Sequence, residues 1–186
     1  MVLAALLTFI AGIVFMVYYG QDLFPSTTPD TQKKKEIKAE IKPVSDTVQE
    51  VRLYFASSDG KGLSSERQNV KGRGIEKLVR ETLLKLIEGP RRDDLFKVIP
   101  EKTKLVSIKV KASIAYVNLS KEFTDNHPGG STWEEQTIYS IVNTITLNFP
   151  DIKFVQLLVD GKLKKTLAGH VLIGVPLRAN KSLILK

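Results

Sequence analysis

The chain has 186 residues, no cysteine, two histidines and a formal net charge of +8. Without cysteine there is no disulfide framework, thiolate metal site, thiol nucleophile or lipidated cysteine. Once an apolar amino-terminal run and a charged stretch are set aside, the remainder makes one domain of ordinary size.

Val2 to Tyr19 carries no charge, and its length is close to what a helix needs to cross roughly 30 Å of hydrocarbon. Tyr18 and Tyr19 suit the headgroup belt, and the end lacks an A-x-A-like cleavage pattern, so residues 1–20 are expected to be an uncleaved transmembrane anchor. Lysines follow the run and none precedes it, which taken literally keeps the carboxyl side in the cytoplasm. Most of them lie near or beyond the reach of that rule, and the residues alone leave the orientation open. Residues 21–47 read as a charged flexible linker. Within it Lys33, Lys34, Lys35, Lys38 and Lys42 cancel Asp22, Asp30, Glu36, Glu40 and Asp46, so the positive excess lies beyond position 46.

The folded part is expected over 48–178, with a tail at 179–186. VRLYFAS alternates as a half-buried strand, SSDGKG is a turn, and LSSERQNVK is a weaker, edge-type strand. Gly74 to Glu88 is a helix: Ile75, Leu78, Val79, Thr82, Leu83, Leu86 and Ile87 line one face, and Gly89-Pro90 ends it. KLVSIKVKASIAYVNLSKEF reads as a hairpin turning near Lys111-Ala112. A Gly/Pro loop then leads to a second helix from Ser131, where Ser131 and Glu134 form a capping box and Ile138, Ile141, Val142, Ile145 and Phe149 make an apolar stripe. Ile152 to Val159 is a buried strand ending at the turn Asp160-Gly161. The segment past Gly161 adds one or two peripheral strands. Together these predict an α+β domain with two helices packed on one face of a small mixed β-sheet, preceded by one transmembrane helix.

At this point the residues resemble the GerMN domain family of sporulation and spore germination. The likeness rests on VRLYFA, GIEKLVRETLLKLIEGP, AYVNLSKEF, YSIVNTITLNFPDIKFVQLLVDGK and the glycine-histidine of LAGHV, over roughly 48–178. It implies a ring-building-motif-like fold and a non-enzymatic domain. It also implies a cell-membrane, single-pass placement with the carboxyl-terminal domain extracytoplasmic.

Three functions follow as expectations. The first is a protein-interaction domain binding envelope or sporulation proteins, or itself, with membrane contact through residues 2–19. Trp133, the one tryptophan, is its natural anchor if exposed and a packing residue if buried. The second is a basic module for anionic cell-wall polymer or lipid headgroups, using Arg91, Arg92 and Lys97 after the first helix and Lys162, Lys164 and Lys165 after the last strand. The third is a hydrolytic enzyme built on Glu134-Glu135 with His127, or on Asp93-Asp94. Neighbouring helical residues diverge by about 100°, and no serine stands in a G-x-S-x-G or S-x-x-K setting, so this is disfavoured. No cofactor, metal or nucleic-acid partner is expected.

Overall fold

The computed structural model describes residues 46–186. The expected membrane anchor and nearly all of the linker lie outside them. Among the described residues no helix is long and apolar enough to cross a membrane.

Strand β1 (Thr47–Ser57) pairs antiparallel with β2 (Leu63–Gly72) across ten positions, and at its far end with the two-residue β3 (Leu95–Phe96). Helix α1 (Gly74–Glu88) follows β2 directly and buries Leu78, Val79, Thr82, Leu83 and Leu86, five positions of the predicted face. The hairpin of β4 (Leu105–Lys111) and β5 (Ile114–Leu119) turns at Ala112-Ser113, both with positive φ (49° and 63°). A register shift between Leu105 and Ser107 breaks the alternation of β4 and leaves Val106 exposed. A short helix α2 (Glu122–Asp125) and the loop through Gly129-Gly130, both at positive φ, lead into α3 (Ser131–Asn148). From α3 the chain returns in β6 (Phe154–Val159), parallel to β5, as a helical crossover allows.

These strands form two three-stranded sheets, ordered β2-β1-β3 and β4-β5-β6. The expectation of one sheet with both helices on one face is therefore corrected: the fold is α+β with two sheets. The reason lies on α3. Its apolar stripe is buried as predicted, with Ile138, Ile141, Val142, Ile145 and Phe149 each at most 3% exposed. The opposite stripe, Gln136, Ser140, Thr144 and Asn148, lies along the open edge of β1. Gln136 Nε2 donates to Gly60 O at 2.7 Å, and Ser140 Oγ donates to Tyr54 O at 2.6 Å. The Tyr54 N–H donates to Thr144 Oγ1 at 3.1 Å. Asn148 exchanges two bonds with the Arg52 main chain, Nδ2 to O at 2.7 Å and N–H to Oδ1 at 2.8 Å, as a paired strand residue would. An edge whose polar groups are already satisfied needs no further strand, so the first sheet ends there.

The proposed capping box is absent. Gly130 is the residue before the helix, no side chain caps it, and the Glu134 N–H bonds to Gly130 O at 2.9 Å. Past Gly161 no further strand forms. Isolated bridges join Val155 to Leu177, Thr166 to Leu172 and Leu63 to Ile184. Both sheets, α1 and α3 contribute to one buried apolar cluster.

Candidate functional site

Several polar side chains of α3 that do not face the apolar core reach main chain on its other sides. Glu134, fully buried, points at the segment 168–171. Its carboxylate accepts from the Val171 N–H at 2.9 Å, the His170 N–H at 3.1 Å and His170 Nδ1 at 2.7 Å. Burial on its own would raise the pKa. The bonds from Val171, the His170 ring and the neighbouring main chain outweigh it and hold the group at about 2, below the ordinary 4.5.

That grip fixes a projecting arm. The Leu167 N–H bonds to Val171 O and the Ile173 N–H to Lys165 O, so residues 165–167 run antiparallel to 171–173. Leu167 and Ile173 are buried, whereas Leu163, Leu172 and Val175 are 56–60% exposed. Lys162, Lys164 and Lys165 are exposed on the same arm, and none forms an ion pair among the described residues. Trp133, the residue before Glu134, is 49% exposed.

On the other side of the same helical turns sits His127. Thr137 Oγ1 donates to Val98 O at 2.8 Å and therefore accepts from His127 Nε2 at 3.0 Å, while His127 Nδ1 accepts from the Gly129 N–H at 3.0 Å. The imidazole is thus the neutral Nε2–H tautomer, and burial lowers its pKa.

The family model for Germane, described as sporulation and spore germination, matches residues 52–165. The chain belongs to that family. Among solved structures it is similar to a candidate lipoprotein from Clostridium perfringens, with 31% identity, TM-score 0.53, and coverage of 73% of this chain and 89% of that one. It also shares its fold with the sporulation protein GerM from Bacillus subtilis. The tandem GerMN domains match with 18% identity and TM-score 0.53, covering 74% of this chain and 48% of that one. The first GerMN domain alone matches with 19% identity and TM-score 0.52, covering 72% and 98%. A search of curated proteins returns no match.

Within this Germane domain the basic residues singled out from sequence divide into two groups. The main-chain N–H groups of Arg91 and Arg92 are held by the buried Glu66 at 3.0 and 3.2 Å. The Arg92 guanidinium is bonded to Asp94, with Nε at 2.9 Å from Oδ1, and Lys97 pairs with Glu101 at 3.1 Å. Arg92 and Lys97 are thus neutralised locally. Lys162, Lys164 and Lys165 stand together on the arm next to exposed apolar side chains. Of the suggested catalytic groups, Glu134 meets His170 rather than His127, and Asp94 meets Arg92.

Sequence reasoning missed the polar stripe of α3 and the link from Glu134 to His170. A signal was available. The solvent face of α1 carries Glu76, Lys77, Arg80, Glu81 and Lys85, whereas α3 has two charges, Glu134 and Glu135, in 18 residues. Uncharged hydrogen-bonding residues every fourth position mark a face that meets main chain rather than water.

Proposed function

We propose that this domain is a non-enzymatic protein-interaction module of the sporulation or spore-germination apparatus, held at the membrane outside the cytoplasm. The observation that carries the reading is the arm 162–175. A buried carboxylate locks it in place, and it presents Leu163, Leu172 and Val175 outward among three lysines. Rigid apolar anchors with a charged rim are what a specific interface uses, the anchors for affinity and the charges for steering. The titratable groups that chemistry would recruit, Glu134, His127 and Glu66, are each bonded to main chain and serve shape. Membership of the Germane family supports the biological setting, and similarity to the clostridial candidate lipoprotein supports the placement.

The same lysines also favour binding of anionic polymer, and one experiment separates the two. A photo-crosslinking amino acid replaces Trp133 or Leu163 in the full chain, expressed in sporulating cells, with exposed Asn69 on β2 as control position. A discrete protein adduct from Trp133 or Leu163 and none from Asn69 is the expected result. No protein adduct from either site, together with salt-labile retention on cell-wall polymer that Lys162→Glu and Lys164→Glu abolish, would overturn the interaction reading.

A further inference from the structure

The carboxyl-terminal end of α3 offers a second surface, which shares no residue with the arm. An 18-residue helix is about 27 Å long, which separates this end from Glu134 and its bonds to the arm. Around Leu147 lie two concavities. One, of about 610 Å³, is walled by Pro150, Ile152, Lys153 and Phe154 together with Arg178 and Ala179. The other, of about 690 Å³, is walled by β1 near Arg52 and by Lys181 and residues 184–186. Leu147 is the residue common to both, so the two lobes of this bent groove adjoin at its side chain.

Its composition is uneven. Leu147, Ile152, Phe154 and Ile184 give it an apolar floor. Its rim carries five exposed cations: Arg52, Lys153, Arg178, Lys181 and Lys186. Glu50 is the one acid among the lining residues, and Arg67 already pairs with it at 3.3 Å. None of the five cations forms an ion pair among the described residues. The Arg178 guanidinium stacks 4.6 Å from the Phe154 ring centroid, which fixes its plane and leaves its N–H edge available to a carboxylate. Helix-end carbonyls tolerate nearby cations, but Ile145 O and Asn148 O are already bonded to the Phe149 N–H and to Gln49 Nε2. A set of like charges around an apolar trough calls for a ligand that carries both complements.

We propose that this groove receives an acidic, extended segment of a partner protein, in which Asp or Glu alternates with large apolar side chains. A second copy of this chain is disfavoured because the positive excess lies in this domain. Residues 21–46 are equally disfavoured, since their five lysines and five acids cancel. A phosphate polymer would meet the rim and leave the floor uncovered, and a bent groove fits a chain better than a planar membrane. The site shares no residue with the arm, so it stands or falls separately from the interaction proposed there.

The test uses the purified full chain and a fluorescein-labelled peptide of about ten residues with Glu and Asp interleaved with Leu and Phe. Polyglutamate of equal length and phosphatidylglycerol vesicles are the comparison ligands. The peptide should bind about tenfold or more tightly than polyglutamate, and Lys153→Glu with Arg178→Glu should weaken it by about tenfold or more. Lys181→Glu with Lys186→Glu, on the second lobe, should act in the same direction. Lys162→Glu with Lys164→Glu should leave it unchanged, and cross-linking from Trp133 should persist in the groove variants. All substitutions are at exposed positions, and urea midpoints check that each variant is folded. Peptide affinity unaltered by both groove pairs would overturn the proposal, as would peptide and polyglutamate binding equally. Loss of vesicle binding in the groove variants without any peptide binding would assign the surface to lipid instead.

Discussion

Glu134 accepts from the His170 and Val171 N–H groups and from the His170 ring, so removing its charge leaves buried donors facing a group that cannot satisfy them all. Its folded pKa of about 2 lies below the ordinary 4.5, so the stabilisation is complete above pH 4.5 and disappears as pH falls towards 2. By linkage it amounts to about 3 kcal/mol. Glu134→Gln is therefore expected to lower unfolding free energy at neutral pH by about 2 to 3 kcal/mol and to flatten its fall between pH 4.5 and 2, measured by urea denaturation. His127 works over a different range. Its pKa is lowered from 6.5, so the unfolded chain takes up the proton first and stability drops as pH falls below 6.5 towards the folded value. His127→Asn should reduce the slope in that window. Long-range proton–nitrogen correlation spectra of the wild type should show the Nε2–H tautomer at neutral pH.

At the level of elements, α3 closes a sheet with side chains where another fold would use a strand. Thr144→Val keeps the shape and removes the acceptor for the buried Tyr54 N–H, with an expected cost of about 1 to 3 kcal/mol. Ser140→Ala deprives Tyr54 O of its donor in the same way, and because both bonds fix one residue the double variant should depart from additivity. Both are read from denaturant midpoints. The β4–β5 turn carries a different kind of cost. Ala112 and Ser113 adopt left-handed φ without being glycine or asparagine, so Asn-Gly at these positions should raise stability by about 1 kcal/mol. Much of this layer was legible in the sequence: α1 was delimited residue for residue, and Ala115, Val117 and Leu119 of β5 are the inward set. Burial of apolar side chains has a period, and period is written in the chain. The second sheet was not legible, because the spacing of Ser140, Thr144 and Asn148 marks a face that meets main chain but does not name the strand, some 90 residues earlier, that it meets.

Across the whole molecule, α3 is the axis on which the parts are mounted. Val98 hangs on Thr137, the carboxyl-terminal segment on Asn143 through two bonds with Asn180, the arm on Glu134, and β1 on the polar stripe. Among the described residues no buried side-chain nitrogen or oxygen lacks a partner, so these mounts are fully satisfied and rigid. The candidate surfaces sit at the two ends of this axis, one with lysines beside Leu163 and the other with Arg178 over Phe154. The basic residues were visible as letters, but their sorting was not. Arg92 and Lys97 lie beside acids that cancel them, whereas Lys153 and Arg178, 25 positions apart, meet only in the folded chain.

The side-chain seam along β1 also sets an order of events. Ser140, Thr144 and Asn148 are synthesised long after Tyr54 and Arg52, so a growing chain holds the β1–β2 hairpin for an interval with one raw flank. During that interval the flank is a template for pairing with other nascent copies, which a chaperone or slow dilution would have to prevent. A chain ended at residue 130 should consequently aggregate on refolding, and a synthetic peptide spanning Ser131 to Asn148 added in trans should rescue its solubility, as light scattering would register.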